Sequence, residues 1–394
     1  MAHPQQYLFH PYETYGEELM RKSVRIPCPS YQGSTFPRWG KPSDGSAGVA
    51  ADFINGDVKI FASVNDTNGT IQADGITLTT YIFDEDGTAA TSPAASISGR
   101  YPIVNNGRII THTEYSSFPT KQRAHVYDYS LNSIGTIDFP YVYYRIAQST
   151  DGYLLMAGPG RGYYMPDVAG VIRLYDDTTL NLDLTITSPN GNVNDGFPGN
   201  PFLIDGYIWA SASYSGYEKV YIYNTSGTLL TTITGSNGFG AGMSYDPVNN
   251  LVAISEYGYN TGSSAPKIYQ PDGTFVRSIS LPSQDTLWST NISYLQIGMG
   301  KLVYSGGGYS YGITGNQINK DTFILDNTGD YITDVYPKYA LGASPAYPTT
   351  DNHLYADTYG SAVMLHNVNK MSVAASQEDF NGNTTLGAIY IYDI

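Results

Sequence analysis

The sequence has few charged residues and a single cysteine. Charged side chains make up 14% of the 394 residues, against about 25% in an average globular protein. Lysine and arginine number 20 against 35 aspartates and glutamates, which gives a net charge of −15. This balance argues against nucleic acid and anionic membranes as partners, because contacts to phosphate need lysine and arginine. Cys28 is alone, so no intramolecular disulfide can form and the fold does not depend on an oxidising compartment.

Long apolar runs and an export signal are also missing. No stretch approaches the roughly 18 apolar residues of a membrane span. The opening residues MAHPQQ lack the apolar core of a signal peptide. We therefore expect the protein to be made in a cytoplasm, from which lysis or assembly could take it elsewhere.

Catalytic and metal-binding motifs are absent from the sequence. The six histidines are scattered without metal spacing, and we expect His112 and His125 to have structural roles on adjacent strands. Residues 84–87 (DEDG) resemble a fragment of a calcium loop, but the related turns NTSG, QPDG and NTG lack the acids. The sequence therefore predicts no catalytic residues, no cofactor and no metal. Paired carboxylates could still meet in a central channel, as in glycosidases, without forming a motif in the sequence.

Glycine (42) and tyrosine (37) dominate the composition, and they occur in a repeat. Residues 220–228 (VYIYNTSGT) alternate β-branched and aromatic side chains before a tight turn, which is typical of a strand entering a hairpin. Six other segments share the pattern. The last large residues before the seven turns are Phe83, Tyr129, Tyr175, Tyr223, Tyr269, Leu325 and Tyr392.

The spacing of these residues predicts the fold. Successive positions differ by 46, 46, 48, 46, 56 and 67 residues. A period in the forties with four strands per unit is the signature of a β-propeller. The sequence therefore predicts an all-β, seven-bladed β-propeller with four antiparallel strands per blade. The expected blades are 48–98, 99–140, 141–188, 189–234, 235–282, 283–337, and 338–394 together with 19–27.

The seventh blade needs a strand from the N-terminus. Residues 20–27 (MRKSVRIP) resemble residues 274–282 (TFVRSISLP), the fourth strand of an earlier repeat. We expect residues 19–27 to complete the last blade and close the ring, which removes free sheet edges. Residues 19–394 then form one domain, preceded by an N-terminal arm, 1–18. The arm contains Tyr7, Phe9 and Tyr12, and it either lies on its own propeller or docks into a neighbouring subunit.

Candidate binding residues lie in the loops that precede the repeated strands. These loops vary in length and span 64–78, 158–169, 257–265, 308–320 and 360–386. They share one face of a propeller with the connections between blades, and function gathers where loop length varies. Exposed tyrosine is common at interfaces, although these tyrosines could instead pack on their own loops. The candidates are Arg161, Tyr163, Tyr164, Tyr259, Tyr309, Tyr311 and His366.

Three segments carry a resemblance to a known repeat. Residues 238–245 (GFGAGMSY), 251–258 (LVAISEYG) and 267–269 (KIY) resemble the integrin-type FG-GAP repeat, and residues 387–393 (GAIYIYD) resemble its last strand. Repeats that end in GxxYIYD are similar to those of virion proteins from marine bacteriophages. The resemblance implies a propeller in a virus particle. The acidic calcium loops of the repeat are missing here, so metal binding and individual site residues do not carry over.

The first functional expectation is a non-enzymatic structural or interaction protein of a phage particle, associated with the tail or a fibre. It would act through contacts with other virion proteins, and a host surface glycan is a second candidate partner. The alternatives are a carbohydrate-binding or carbohydrate-cleaving propeller, and an interaction scaffold of a cell.

Overall fold

The computed structural model describes 29 strands and many of the turns between them. The described residues are 24–27, 38–39, 49–54, 57–65, 79–84, 86, 88–90, 96–105, 107–114, 122–139, 145–148, 152–158, 169–191, 195–212, 218–236, 239–240, 242–246, 248–255, 266–279, 292–298, 300–306, 322–326, 331–335, 359–367, 370–375 and 388–393. Within these residues, no helix is long and apolar enough to cross a membrane.

The first half of the chain supplies two short strands and three sheets. The short strands are β1 (Val24–Pro27) and β2 (Arg38–Trp39). The first sheet contains β3 (Val49–Ile54), β4 (Asp57–Asn65), β5 (Thr79–Asp84) and β6 (Ser96–Ser98), and β2 pairs with the end of β4. The second contains β7 (Arg100–Asn105), β8 (Arg108–Glu114), β9 (Gln122–Asp128) and β10 (Ser133–Phe139). The third contains β11 (Arg145–Gln148), β12 (Tyr153–Gly158), β13 (Val171–Asp176) and β14 (Leu182–Thr187).

Four more sheets follow. The fourth contains β15 (Gly199–Ile204), β16 (Tyr207–Ala212), β17 (Lys219–Asn224) and β18 (Leu229–Thr234). The fifth contains β19 (Met243–Asp246), β20 (Leu251–Ile254), β21 (Lys267–Tyr269) and β22 (Phe275–Ser278). The sixth contains β23 (Ile292–Gly298), β24 (Lys301–Gly306), β25 (Thr322–Asp326) and β26 (Tyr331–Val335). The seventh contains β27 (Tyr359–Asn367), β28 (Lys370–Ala375) and β29 (Ala388–Asp393).

The seven repeated segments of the sequence occupy equivalent places. Each lies in the third strand of its sheet, namely β5, β9, β13, β17, β21, β25 or β29. All strand pairs within the sheets are antiparallel, and β10, β14, β18, β22 and β26 each shift register against the third strand near the intervening turn. The predicted pattern of antiparallel strands is therefore confirmed in these sheets, and the register shift in five of them was not predicted.

The seventh sheet takes its fourth strand from the start of the chain. Its order is β27, β28, β29, β1. Strand β1 runs antiparallel to β29, with Val24 opposite Ile391 and Pro27 opposite Ala388. The expected pairing of the N-terminal segment with the last repeat is therefore present in the structure.

One segment of the seventh sheet was predicted wrongly. The sequence predicted a loop at 360–386, whereas β27 and β28 occupy most of 359–375. These two strands form a hairpin in which Val363 lies opposite Val373, and Asn367 opposite Lys370. The two apolar runs on either side of residues 367–370 are what make the hairpin, and His366 consequently lies in a strand and not in a loop.

The sheets pack against one another through both faces of their third strands. In β17, Val220 and Ile222 belong to an apolar cluster shared with the fifth sheet. Tyr221 and Tyr223 point the other way, into a cluster shared with the third sheet. Similar clusters join the first sheet to the second, the second to the third, and the fifth to the sixth. Period-two alternation therefore gives the third strands β13, β17 and β21 two buried faces.

The first strands lie toward a common centre. Strand β27 contacts β23 on one side and β3 on the other, and β7 contacts both β3 and β11. Because the first strands contact one another, the fourth strands lie at the outer edge of the sheets.

Truncation tests the contribution of β1. A chain that begins at residue 28 loses the β1–β29 pairing and exposes the edge of β29. We expect its melting temperature to fall by at least about 5 °C relative to the full chain. A chain that begins at residue 19 keeps β1 and serves as the control, and equal melting temperatures for the two truncations would show that β1 does not stabilise the seventh sheet.

Candidate functional site

The two ends of the sheets differ in the segments they carry. We call "loop face" the end where the second strand joins the third and where one sheet connects to the next. The opposite end, with the first-to-second and third-to-fourth turns, is the "turn face". In the fourth sheet, Ala212 opposite Lys219 marks the loop face, and Tyr207 opposite Asn224 marks the turn face. The predicted grouping of loops follows directly from this strand order.

Most of the candidate residues lie outside the described residues. These are Tyr7, Phe9, Tyr12, Arg161, Tyr163, Tyr164, Tyr259, Tyr309 and Tyr311. The last six belong to segments that join the second strand to the third in three sheets, so their assignment to the loop face stays a prediction. His366 is different, because its strand position places it next to the β27–β28 turn on the turn face. Its assignment to the loop face was wrong.

The connection from the third to the fourth sheet is held by a buried carboxylate on the loop face. Asp195 is fully buried. One of its oxygens accepts a hydrogen bond from the Ser188 hydroxyl, and the other accepts the backbone N–H of Phe197 at 2.9 Å. Phe197 is also fully buried and packs edge-on against Tyr221, with ring centroids 6.0 Å apart. These contacts fix both ends of the connection against the sheet interface.

Tyr221 and Tyr223 lie in the strand next to this connection, and their hydroxyl groups have different environments. The Tyr221 hydroxyl accepts a hydrogen bond from Asn190 Nδ2 at 2.8 Å. The Tyr223 hydroxyl is buried and has no hydrogen-bond partner. Burial raises the pKa of both phenols, and for Tyr223 the neighbouring Tyr221 and Asp195 raise it further. Both groups are therefore neutral near pH 7, and Tyr223 carries the cost of an unsatisfied polar group.

The connection from the fourth to the fifth sheet is held by Phe239, a residue of the FG-GAP-like segment. Phe239 is fully buried in the cluster between the two sheets, and Lys267 Nζ lies 5.3 Å from its ring centre. Gly240 adopts φ +84°, and a Cβ there would lie 2.6 Å from Cβ of Ser211. Gly242 N–H donates to the Ser255 hydroxyl at 2.7 Å. Gly240 therefore allows the connection to approach the fourth sheet closely.

The turn face carries carboxylates that hold its turns. Hydrogen bonds from the side chain and backbone of Thr88 lower the pKa of Asp86, and those from Asn132 lower the pKa of Asp128. Asn224 plays the same part in the fourth sheet, where its Oδ1 accepts the Thr228 N–H at 2.8 Å. An amide replaces the acid without loss of the turn, so these groups act as hydrogen-bond acceptors for the backbone.

The candidate metal ligands either form other hydrogen bonds and ion pairs or lie on opposite faces of a sheet. Asp84 forms an ion pair with Lys59, and Asp86 accepts from Thr88. His112 and His125 do lie on adjacent strands, as expected, but His112 is opposite Ala124 and His125 is opposite Thr111. Since side chains of neighbouring positions alternate, the two imidazoles lie on opposite faces of the sheet. Across the described part of the chain, no three His, Cys, Asp or Glu side chains are grouped as metal ligands.

A second buried carboxylate was missed from the sequence. Asp246 is fully buried at the end of β19 on the turn face. Its oxygens accept the backbone N–H of Val248 at 2.9 Å, Nδ2 of Asn249 at 2.7 Å and the backbone N–H of Gly300 at 3.2 Å. Asp246 thus closes its own turn and links the fifth sheet to the sixth. The turn DPVNN was visible in the sequence, but the contact with Gly300 spans 54 residues.

Comparison with solved structures identifies the fold. The chain is similar to the β-propeller domain of the Trilobed protease from Pyrococcus furiosus, with a TM-score of 0.54 and 12% identity over 91% of this chain and 96% of that one. The fold is an all-β propeller. BamB from Moraxella catarrhalis covers 94% of this chain and 96% of its own length, with 11% identity and a TM-score of 0.43. At these identities the similarity to the protease domain extends to the fold alone. No protein-family model matches the chain, and no curated protein matches its sequence.

Two glycine substitutions test how tightly the loop-face connection is held. A Cβ at Gly170 would lie 1.6 Å from the carbonyl oxygen of Phe197, a backbone atom that cannot move aside. We expect Gly170→Ala to lower the free energy of unfolding in urea by about 3 kcal/mol or more. At Gly191 no atom lies within 4 Å and φ is +60°, so Gly191→Ala should cost only about 1–2 kcal/mol. Equal losses would contradict the close packing of this connection.

A matched pair of phenylalanine substitutions tests the two tyrosines. Tyr221→Phe removes the bond from Asn190 and should lower the free energy of unfolding by about 1 kcal/mol. Tyr223→Phe removes an unsatisfied hydroxyl, so stability should stay unchanged or rise by about 1 kcal/mol.

The same pair predicts a pH effect. The pKa of Tyr223 is raised in the folded state, so above about pH 10 the unfolded chain ionises first and stability falls. Urea titrations at pH 8 and pH 11 should show a smaller alkaline loss in Tyr223→Phe than in the wild type. An identical loss would show that this phenol is not protected by burial.

Proposed function

We propose that the seven sheets are the seven blades of a closed propeller ring. Two contacts support closure: β1 pairs with β29 in the seventh sheet, and β27 contacts β3 of the first. The protease domain that shares the fold is described as having an open velcro topology. The present chain would differ from it, because a strand from its start completes its last sheet.

We further propose that the ring is a non-enzymatic interaction protein that binds its partners through the loop face and the N-terminal arm. One observation carries this proposal, namely the difference in segment length between the two faces. On the turn face, the first-to-second turns contain two to four residues and the third-to-fourth turns four or five, except for eleven between β5 and β6. The second-to-third segments of the loop face contain six to fifteen. Long segments of varied length at one end of a rigid scaffold are the common site of recognition.

The described part of the loop face supplies the rigid base for such recognition. Asp195 and Phe239 anchor two consecutive connections, and both are fully buried. The described turn-face carboxylates Asp86, Asp128 and Asp176 accept backbone hydrogen bonds. Their chemistry is thereby accounted for by the fold, and the long loop-face segments are left to contact a partner.

The proposed setting is a phage particle, in the tail or in association with a fibre. This rests on the resemblance of the repeats, including GAIYIYD at residues 387–393, to those of phage virion proteins. The partners would be other virion proteins, with localisation in the virion. The net charge of −15 disfavours nucleic acid and anionic membranes as partners.

Purified particles provide the test. From cells that produce the protein, we expect the full chain to band with the particles and to keep a constant molar ratio to the major particle protein through repeated density gradients. Replacing Tyr163 and Tyr164 with serine should lower incorporation by about tenfold, since buried aromatic residues dominate interface energies. Val248→Ser changes an exposed side chain on the turn face and should leave incorporation unchanged.

The opposing outcomes are equally specific. Loss of the protein from the particles on a second gradient would overturn the phage setting. Equal incorporation of the tyrosine variant and the Val248 control would overturn the loop-face assignment. Binding or cleavage of glycans by the purified chain, abolished by the tyrosine changes, would favour the carbohydrate alternative instead.

A further inference from the structure

Among the side chains that the structure describes, the exposed large apolar ones are concentrated in the fourth strands. Of the six large apolar residues that are exposed in the described structure, five lie in the fourth strands of three consecutive sheets. Leu182 is 49% exposed, Leu230 is 48% exposed and Phe275 is 54% exposed. We call this group the rim belt, and it consists of Leu182, Leu229, Leu230, Phe275 and Val276.

The rim belt has the character of a contact surface. Its members stand at the start of β14, β18 and β22, so they share the turn-face end of the outer edge. Among the sixteen residues of these three strands, only Asp183 and Arg277 are charged. Exposed apolar side chains on strands that carry few charges are typical of protein interfaces.

In the seventh sheet the equivalent place is occupied by β1. Strand β1 is the outermost strand there, as β18 is in the fourth sheet. It begins opposite the end of β29, with Val24 facing Ile391, and therefore starts at the turn face. The 23 residues that precede β1 thus join the seventh sheet at its turn-face end, and the rim belt lies at the same end of its own sheets.

The chemistry of this preceding segment matches the belt. Residues 1–12 contain no Asp, Glu, Lys or Arg, and they contain Tyr7, Leu8, Phe9 and Tyr12. An extended chain of 23 residues reaches at most about 80 Å. Residues 1–12 can therefore reach beyond their own ring and cover an apolar surface without burying the side chain of an Asp, Glu, Lys or Arg.

We propose that residues 1–12 of one copy pack on the rim belt of a second copy. The second copy is the favoured occupant because the belt lies on the third to fifth sheets, whereas β1 lies in the seventh. Within one copy, the segment would have to pass around at least the sixth sheet to reach it. An arm that binds a belt is a heterologous contact, which repeats from copy to copy. The inference rests on the proposed function, since it names the surface that the arm contacts.

Photo-crosslinking of the full chain tests the contact. p-Benzoylphenylalanine replaces Phe9, and ¹⁵N-labelled copies are mixed with unlabelled copies before irradiation. We expect crosslinked peptides that join residue 9 of one isotope to residues 229–234 or 275–278 of the other. Crosslinks confined to a single isotope, or crosslinks between copies that lead to the loop face, would overturn the proposal.

Light scattering of full-length variants gives a second measurement. The mean mass of the wild type should rise above 42.9 kDa with concentration. Replacing Leu229, Leu230 and Phe275 with threonine, which suits strands, should raise the concentration needed for association by about tenfold or more. Val248→Thr is the matched control, because Val248 is 70% exposed and lies outside the belt. Phe9→Ser should reproduce the belt phenotype, and it tests the contact even if the triple variant does not fold.

The outcomes separate this inference from the proposed function. A wild type that stays monomeric, or a triple variant that associates as the wild type does, overturns the arm–belt contact. Incorporation into particles that depends on Tyr163 and Tyr164 would still support the loop-face function in that case. Association that depends on the belt, combined with absence from particles, would keep the contact and remove the phage setting.

Discussion

The third strands β13, β17 and β21 are packed on both of their faces, and the rest of the described fold depends on this constraint. In β17, Val220 and Ile222 bind the fifth sheet while Tyr221 and Tyr223 bind the third. A shift of one residue in register would exchange the two sets of side chains. The alternation of large side chains in the repeat therefore specifies two interfaces at once, and it explains why this strand is the most regular part of the sequence.

The packing of the third strands also gives the turn face and the loop face different roles. Turns at the turn face must let neighbouring sheets approach, so most of them are short and their polar side chains cap the backbone. A Cβ at Gly273 would lie 2.6 Å from Cδ1 of Ile222 in the preceding sheet. Connections on the loop face are anchored at a few buried points such as Asp195 and Phe239. Between these points the chain can vary in length without disturbing the sheets, and for this reason we propose the loop face as the place of recognition.

The proposals join these features into one picture of assembly. The loop face would contact other proteins, and the outer edge would contact further copies through the arm. Edge strands usually carry charges that oppose unwanted pairing, yet β18 (Leu229–Thr234) carries none. A surface of this kind is consistent with a protein that works in an array. The low charge of the whole chain agrees with this, since contacts between copies bury surface that would otherwise face water.

The sequence by itself determined the repeat, the position of the third strand in every sheet and the pairing of residues 24–27 with the last strand, because period-two alternation and turn residues are local signals. Tertiary structure alone decided the rest. The hairpin of β27 and β28 was taken for a loop, and His366 was placed on the wrong face, since the repeat is stretched there to 67 residues. The bonds of Asp246 to Gly300 and of Asn190 to Tyr221 join residues 54 and 31 positions apart. Such contacts depend on how sheets meet in space, which no local pattern encodes.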